Sequence, residues 1–311
     1  MKMENVRLDW KSILLPYADY LSLSYPREMV EKRIGPIIEM LNSNSIRSTA
    51  IFALGKPACY AFLTKSEDFS DRMYATIGFT SPEVYLESRL QTLSTWLKRT
   101  ALEYGKMFIM NEVFNAPDAH LETLANAGFS VIRRIGMHMG LASGEEETDP
   151  AIPDGYSWKP ITSISPEEFS DMEYTAYSAG PEEPLFGSIQ EERHIVTRRI
   201  FVEEVYGPVV QEASFVAYLK GKPCGCVLVT SRGHISPGGR TCMLGSIFVM
   251  QEFRKRGIGE FMLRHSMAEA AKVGYTTMWL MVNLENPAMS LYQKLGFTQA
   301  EQKETFVYTR P

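Results

Sequence analysis

The sequence predicts an α/β fold built on a mixed sheet and present twice in tandem. Two landmarks recur in the same order in both halves, and short apolar segments alternate with amphipathic ones in each half. At 311 residues, the chain is also about twice as long as an ordinary compact domain. With 45% hydrophobic residues, each half can bury a core of its own.

The internal repeat is marked by a turn and by a helix end. Gly55-Lys56-Pro57 and Gly221-Lys222-Pro223 each precede a strand-like segment, and they lie 166 positions apart. Ala127-Gly128-Phe129 and Leu295-Gly296-Phe297 each end a predicted helix, and they lie 168 positions apart. The nearly equal spacing indicates duplication of a unit of about 150 residues.

The boundary between the two copies is predicted at residues 143–155. This segment contains an acidic run, two prolines and two glycines, and it lacks a periodic apolar pattern. We therefore expect a first domain over residues 1–142, a linker over residues 143–155 and a second domain over residues 156–311.

The first half is predicted to open its sheet with a hairpin, because Gly55-Lys56-Pro57 is a turn signal between apolar segments. Helical periodicity then alternates with strand-like segments. The predicted strands cover residues 48–52, 59–64, 73–79, 106–113 and 130–141. The predicted helices cover residues 82–104 and 116–127.

The second half repeats this order, with a hairpin predicted around Lys220-Gly221-Lys222-Pro223. The predicted strands cover residues 214–219, 224–231, 241–250, 276–282 and 297–309. The predicted helices cover residues 167–178, 190–205, 257–272 and 287–294. Antiparallel strands followed by strand–helix–strand crossovers imply a mixed sheet with helices on both faces.

Composition narrows the function classes. The formal net charge of −5 argues against nonspecific nucleic-acid binding, which needs a basic surface. Apolar runs fall short of the ~20 residues that span a bilayer, and the first residues do not resemble a signal peptide. The Cys224-Gly-Cys226 spacing lacks the second pair that a zinc site needs, so we expect four buried, reduced cysteines and no metal.

Residues 249–263 carry the clearest signal for a ligand. They run from a predicted strand into a predicted helix, with Gly257 and Gly259 at the junction. The N–H groups in the first turn of a helix lack intrahelical acceptors, and glycine lets an anion approach them closely. Three cations stand beside the same turn: Arg254, Lys255 and Arg256. A pyrophosphate fits this arrangement.

The two glycines alone leave an alternative open, in which they relieve crowding at a strand–helix junction and the basic residues are merely solvated. A dinucleotide site is disfavoured, because the third glycine of its fingerprint would fall at Met262. A Walker-type loop is disfavoured because no Gly-Lys-Ser/Thr follows.

The segment resembles motif A of the GNAT superfamily of N-acetyltransferases, Gln/Arg-x-x-Gly-x-Gly/Ala, with Arg254, Gly257 and Gly259 at its fixed positions. The resemblance implies an acetyl-CoA site in which the loop holds the pyrophosphate and the preceding strand pairs with the pantetheine arm. Gln251 departs from the family pattern, where proline is frequent, and Glu260 brings a negative charge near the phosphates. The cofactor-binding residues that this motif implies are Ile247, Phe248, Val249, Arg254, Lys255, Arg256, Gly257, Ile258, Gly259 and Glu260.

Residues 281–297 resemble the family's motif B, Asn-x-Ala-x-x-x-Tyr-x-x-x-Gly-Phe, with every fixed position filled. The resemblance implies that Asn286 lies against the pantetheine amides and that Ala288 stands where the coenzyme needs a small side chain. It also implies that Tyr292 lies near the sulfur and is the catalytic residue.

The chemistry of thioester aminolysis is consistent with Tyr292 as a general acid. A thiol titrates near 8.5 and a phenol near 10, so complete proton transfer to the thiolate costs about 2 kcal/mol. The phenol therefore serves as a hydrogen-bond donor or a concerted proton source. The alternative is that Tyr292 is an aromatic residue on a helix face, packed against the sheet.

The acceptor amine must also lose a proton, because an amine with a pKa near 10.4 is almost fully protonated at pH 7. The sequence does not identify the base, and no Cys–His pair stands where it would favour a covalent route. The candidates are Glu173, Glu203, Glu204, His234 and Glu285.

The first half lacks the residues of motif A and the tyrosine of motif B. In every register of the repeat, the glycines at 257 and 259 correspond to other residue types in the first half. At an offset of 168, Tyr292 corresponds to Leu124. The first half is therefore expected to be a degenerate copy.

Together these features predict two tandem GNAT-like acyl-CoA N-acyltransferase domains, of which the second is catalytic. We expect an acetyl-CoA-dependent N-acetyltransferase that transfers the acetyl group directly to a primary amine of a small molecule or peptide. The alternative is a noncatalytic CoA-binding or interaction module with a vestigial substrate cleft. The expected protein is cytoplasmic, is a monomer or homodimer, and binds neither nucleic acid nor membrane.

Overall fold

The computed structural model describes residues 8–22, 27–111, 113–141, 154–178, 180, 182–231 and 239–309. The chain forms two compact units. The first comprises Met1–Ile132 with Glu304–Pro311, and the second comprises Arg133–Lys303.

The first unit opens with two helices and continues with alternating strands and helices. Its helices are α1 (Trp10–Leu21), α2 (Arg27–Asn42), α3 (Glu87–Tyr104) and α4 (His120–Asn126). Its strands are β1 (Ser48–Ala53), β2 (Lys56–Lys65), β3 (Arg72–Phe79), β4 (Met107–Met110) and β5 (Val113–Phe114), followed by β6 (Ser130–Gly140), which continues into the second unit.

In the first unit, β1, β2 and β3 are antiparallel neighbours, and β3 pairs with β4 in parallel through the α3 crossover. The short strand β5 also pairs with β3 in parallel, at Ile77 and Gly78. One core packs α3 and α4 against the sheet around Leu90, Leu97 and Phe108. A second core packs α1 and α2 around Trp10 and Tyr60.

The second unit contains the remaining helices and strands. Its helices are α5 (Pro166–Tyr177), α6 (Gln190–Val202), α7 (Ile258–Lys272) and α8 (Met289–Lys294). Its strands are β7 (Tyr156–Pro160), β8 (Phe215–Leu219), β9 (Lys222–Thr230), β10 (Thr241–Val249), β11 (Thr277–Asn283) and β12 (Thr298–Tyr308), which ends in the first unit.

The sheet of the second unit has the order β6-β11-β10-β9-β8-β7. Pairing is antiparallel except between β10 and β11, which are parallel because α7 connects them. Residues of α7 and α8 bury one face, with Met262 and Leu263 fully enclosed. Residues of α5 bury the other face, with Phe169 against Phe248.

A wedge opens between β10 and β11. The two strands pair at Thr241–Met243 and at no later position among the described residues. Beyond that point, β10 continues along β9 and β11 continues along β6, so the two strands separate. A β-bulge at Gly245 shifts the register of β10 at the mouth of this wedge.

The expected mixed α/β fold is confirmed, and the landmarks of the repeat have the same local geometry in each unit. Both hairpins turn through two residues of positive φ, Leu54-Gly55 and Lys220-Gly221, as a tight two-residue hairpin requires. After α4 and after α8, a glycine with φ near 90° ends the helix, at Gly128 and Gly296.

Several predicted boundaries are different in the structure. The helix predicted over residues 82–104 starts as a 3₁₀ turn, and α3 begins at Glu87. The strand predicted over residues 106–113 is divided into β4 and β5. The sequence pattern gave no prediction for α1 and α2, each of which contains a proline, Pro16 or Pro36.

The linker residues 143–153 lie outside the described part of the chain, so the domain limits 1–142 and 156–311 stay a prediction. Relative to that division, residues 133–141 group with the second unit and residues 304–309 with the first. No helix within the described residues is long and apolar enough to cross a bilayer.

Candidate active site

The loop predicted to hold a pyrophosphate lies between β10 and α7. Gly257 is the residue before α7 and has φ 77°, a left-handed conformation that glycine adopts without steric cost. A Cβ at Gly257 would meet no atom within 4 Å, so the space over this turn is open. Ile258, Gly259 and Glu260 form the first turn of α7, where N–H groups lack intrahelical acceptors.

Arg254 holds the loop through backbone contacts. Its Nε donates to the carbonyl oxygen of Val249 at 2.9 Å, and its Nη2 donates to that of Ala176 at 2.6 Å. The side chain therefore connects the end of β10 to the last turn of α5. These two hydrogen bonds position the loop. This is a different role from the direct contact with phosphate that the sequence predicts for Arg254.

The other charged residues of the loop leave a positive surface. Lys255 and Arg256 are exposed, and Lys255 has φ 61°. Glu260 is a second residue that departs from the family pattern. Its carboxylate forms salt bridges with Lys294 at 2.8 Å and with Arg264 at 3.1 Å. Hydrogen bonds from these two cations lower the pKa of Glu260, so its charge is neutralised locally.

The predicted pantetheine-binding strand has an open edge in the wedge. Met250 N–H bonds to Cys224 on the β9 side, so the carbonyls of Val249 and Ile247 point toward the opposite edge. Each already accepts a side-chain donor, Arg254 Nε at Val249 and Tyr177 Oη at Ile247, both at 2.9 Å. Each carbonyl keeps a second lone pair for another donor.

Phe248 is buried on the α5 face of β10, between Phe169 and Tyr177. Its side chain therefore supports the strand, and its backbone pairs with Cys226 of β9, away from the open edge.

Asn286 and Ala288 form the turn that leads into α8. Asn286 Oδ1 accepts a hydrogen bond from the Ala288 N–H at 2.9 Å, which satisfies a donor at the start of the helix. The helix begins at Met289, two residues later than predicted, because Pro287 and Ala288 belong to this turn. Asn286 lines the wedge cavity, and Ala288 packs against the core beside it.

Tyr292 is buried and lines the cavity between the separated strands. The cavity is bounded by β10 and β11 and closed by α8 and the end of α5; its lining residues are Tyr177, Glu182, Leu244, Gly245, Ser246, Ile247, Leu280, Met281, Val282, Asn286 and Tyr292. Burial, with the carboxylate of Glu182 second, raises the pKa of Tyr292 to about 12. The phenol is therefore neutral over the physiological range and able to donate a hydrogen bond.

Three polar residues of this cavity were absent from the predicted site: Tyr177, Glu182 and Ser246. Tyr177 and Glu182 come from α5 and the following turn, which lie far from both motifs in sequence. For Ser246 a signal existed, because a hydroxyl in the middle of an apolar strand is a polar group that needs an explanation.

Of the five candidate bases, Glu173 alone lies beside the cavity within the described residues. Its carboxyl group approaches Ser246, and burial raises its pKa to about 7. Glu203, Glu204 and Glu285 are exposed, and His234 lies outside the described part of the chain.

The four cysteines are buried and reduced, as predicted. Burial raises the pKa of Cys59 and Cys224 to about 11 and that of Cys242 to about 12, and it raises the pKa of Cys226 further. None of these thiols is ionised near neutral pH, which disfavours a covalent acyl-cysteine route.

Among the described residues of the first unit, no wedge opens at the equivalent place. There β3 pairs with β4 up to Tyr74 and with β5 at Ile77 and Gly78, so β5 fills the position at which β10 and β11 separate. The Phe129 N–H bonds to the carbonyl of Leu124, as the Phe297 N–H bonds to that of Tyr292. Leu124 thus occupies the position of the tyrosine and supplies no phenol.

Comparisons with known proteins relate the second half of the chain to acetyltransferases. Residues 176–297 match the model of the acetyltransferase (GNAT) family. The [ribosomal protein bS18]-alanine N-acetyltransferase of Salmonella typhimurium is 36% identical over 67 residues, which are 21% of this chain and 45% of that protein. The N-alpha-acetyltransferase MAK3 of Arabidopsis thaliana is 25% identical over 146 residues, which are 44% of this chain and 72% of that protein.

A solved structure shares the fold over most of the chain. A GCN5-related N-acetyltransferase from Sphaerobacter thermophilus has a TM-score of 0.50 at 16% sequence identity, covering 88% of this chain and 86% of that chain. The match to the bacterial relative spans less than half of that protein. Residues 176–297 form a domain of the acetyltransferase (GNAT) family, and this domain lies within the second unit.

Proposed function

We propose that the second unit is an acetyl-CoA-dependent N-acetyltransferase that transfers an acetyl group directly to a primary amine of a small molecule or peptide. The observation that carries this proposal is the wedge between β10 and β11, with Tyr292 in the lining of its cavity. The named relatives are N-acetyltransferases, one acting on an alanine of ribosomal protein bS18 and one named as an N-alpha-acetyltransferase, which supports an amine acceptor.

In this proposal, the loop at Gly257 holds the pyrophosphate with its backbone, and Lys255 and Arg256 add charge. The pantetheine arm lies along the edge of Ile247 and Val249, with Asn286 beside its amides. The thioester then reaches the cavity next to Tyr292. Acetyl-CoA supplies an activated acyl group, and the chain orients it and excludes water.

The Tyr292 phenol stabilises the leaving thiolate. With the phenol pKa raised to about 12, complete proton transfer to a thiolate near 8.5 costs about 5 kcal/mol. Proton donation is therefore concerted with cleavage of the C–S bond, and a hydrogen bond to the developing charge provides the stabilisation.

We also infer that the first unit holds no coenzyme, since β5 pairs along β3 where a wedge would be required. One molecule of CoA per chain is then expected. The expected location in the cytoplasm rests on the sequence alone.

Calorimetry with CoA and an acetylation assay test the proposal. The assay follows thiol release from acetyl-CoA with peptides bearing a free α-amine, N-blocked lysine peptides and small alkylamines. We expect one CoA per chain and turnover on at least one acceptor class. CoA binding without turnover on any amine would favour the noncatalytic CoA-binding module, and absence of CoA binding would exclude both functions.

A further inference from the structure

Ser246 presents a hydroxyl to the cavity from the middle of β10. The bulge at Gly245 places Ser246 opposite Leu228, on the α5 face, whereas Leu244 packs into the core on the other face. Ser246 is only 6% exposed and lines the wedge cavity. Within the described part of the chain, its Oγ makes no hydrogen bond of regular geometry. A buried hydroxyl of this kind needs a partner.

Two side chains of α5 lie close to this hydroxyl. Glu173 and Tyr177 are four residues apart, so they share one face of the helix. The Tyr177 phenol reaches the carbonyl of Ile247, the residue next to Ser246, so the helix face that carries Glu173 and Tyr177 lies over the α5 side of β10 at Ser246. In agreement with this placement, the Ser246 hydroxyl opposes the rise in the pKa of both groups. The Tyr177 phenol is itself held by the Ile247 carbonyl at 2.9 Å, which leaves Glu173 as the acidic partner of Ser246.

Glu173 is the group of this cluster whose charge changes near neutral pH. Burial raises its pKa to about 7, with Ser246 opposing that shift. The titratable groups that face it are Tyr177 on its own helix and Cys226 on β9, and burial raises the pKa of each far above neutrality. Across the cavity, burial also raises the pKa of Glu182, although Arg134 opposes the shift.

We propose that Glu173 deprotonates the acceptor ammonium through Ser246, so that the two residues form the proton path that the acetyl transfer requires. This inference rests on the proposed function. Ser246 contacts the acceptor. Glu173 acts through Ser246: it positions the hydroxyl and accepts the proton that the hydroxyl passes on. A base poised near the working pH is the most efficient one, because it is ionised and still able to hold the proton.

The protons balance in this path. An N–H bond of the ammonium breaks and its electron pair stays on nitrogen; the proton passes to the Ser246 oxygen as the Ser246 proton passes to the Glu173 carboxylate. The amine then attacks the thioester carbon, and a C–N bond forms as the C–S bond breaks. A second proton leaves nitrogen and reaches the thiolate through the Tyr292 phenol. Glu173 finally releases its proton to solvent.

The test is the pH profile of kcat/KM for the best acceptor of the amine panel. In the wild type, we expect activity to rise with pH through an inflection near 7, because Glu173 acts as a base only when ionised. In Glu173→Gln, that inflection should disappear and activity at pH 7 should fall by about 10²–10⁴-fold. The loss should shrink at high pH, where more of the amine is neutral.

Ser246→Ala should lose activity to a similar extent, with CoA affinity retained. Glu167→Gln is the matched control, because Glu167 lies on the same helix and pairs with Arg198 at the surface. It should keep the wild-type profile. An unchanged inflection in Glu173→Gln would overturn the proton path.

A second measurement does not depend on turnover or on the variant's folding. In the CoA complex labelled with ¹³C-glutamate, a carboxyl signal of the wild-type protein should titrate near pH 7. Titration of every glutamate near 4.5 would reject Glu173 as the base. Absence of turnover on all amines would reject the proposed function and the path with it, whereas turnover with an unaltered profile in Glu173→Gln would reject the path alone.

Discussion

The Tyr177 hydroxyl donates a hydrogen bond of 2.9 Å to the carbonyl oxygen of Ile247. This contact joins the end of α5 to the open edge of β10, beside the contact that Arg254 makes with Val249. Two side chains from outside the strand therefore fix the edge along which the pantetheine arm is proposed to lie. These two hydrogen bonds hold the edge in place, which lowers the cost of binding the cofactor there.

Tyr177→Phe should separate the structural role of this hydroxyl from catalysis. The ring keeps its stacking on Phe186 and its edge contact with Phe248, so only one hydrogen bond is lost. We expect the free energy of unfolding in urea to fall by about 1 kcal/mol. CoA affinity should be retained, because the Ile247 carbonyl becomes more available to the cofactor. A tenfold weaker affinity would show that the phenol itself contacts the cofactor.

Gly257→Ala should weaken CoA binding, and the chain offers a matched control. Gly257 and Gly221 have φ of 77° and 80°, and at neither position would a Cβ meet an atom within 4 Å. Each substitution should therefore cost about 1 kcal/mol of stability through backbone strain. In calorimetry, Gly257→Ala alone should raise the Kd for CoA by about 10–100-fold, since its methyl group obstructs charge-assisted hydrogen bonds. Equal affinities in the two variants would place the phosphates elsewhere.

Much of this site is local in sequence, and that part was predictable. Gly257 and Gly296 mark helix ends because their backbone conformations exclude most other residues. The role predicted for Tyr292 follows from the resemblance of its helix and the adjoining turn to motif B. Each of these positions depends on neighbours within a few residues.

The remaining features depend on contacts that are distant in sequence. The division of one predicted strand into β4 and β5 depends on pairing with β3, which the local pattern does not encode. Glu173 looks like a surface residue of an amphipathic helix until the bulge at Gly245 turns Ser246 toward it. The side-chain role of Arg254 was also hidden, because Ala176 lies far from the motif.

Tyr292→Phe should lower kcat while leaving CoA binding nearly intact. The phenyl ring retains its packing against Phe297, whereas the hydrogen bond to the leaving thiolate is lost. We expect kcat to fall by about 10²-fold with the best acceptor. Tyr275→Phe is the control, because Tyr275 is a buried tyrosine of the same unit and does not line the wedge cavity. Wild-type turnover in Tyr292→Phe would remove the phenol from the mechanism.

Glu173→Gln should make the protein more stable at pH 8, because ionisation of a buried carboxyl group lowers the free energy of unfolding of the wild type at that pH. The pKa of Glu173 is raised from 4.5 to about 7 in the folded state. Between these two values the folded state binds more protons than the unfolded state, so the contribution to stability is complete below pH 4.5 and is lost as pH rises through 7. A shift of this size corresponds to about 3 kcal/mol.

Urea denaturation of wild type and variant at pH 5 and pH 8 measures this effect. Subtracting the two free energies of unfolding at each pH removes the contribution of the other titrating groups, because both proteins contain them. The advantage of Glu173→Gln should grow from pH 5 to pH 8 by up to about 3 kcal/mol. Glu167→Gln should show almost no change relative to wild type between pH 5 and pH 8, because a hydrogen bond from Arg198 lowers the pKa of that carboxylate and its contribution to stability changes only below about pH 4.5. If the advantage of Glu173→Gln stayed constant with pH, Glu173 would be ionised in the folded protein at pH 5 and unable to act as a base poised near neutrality.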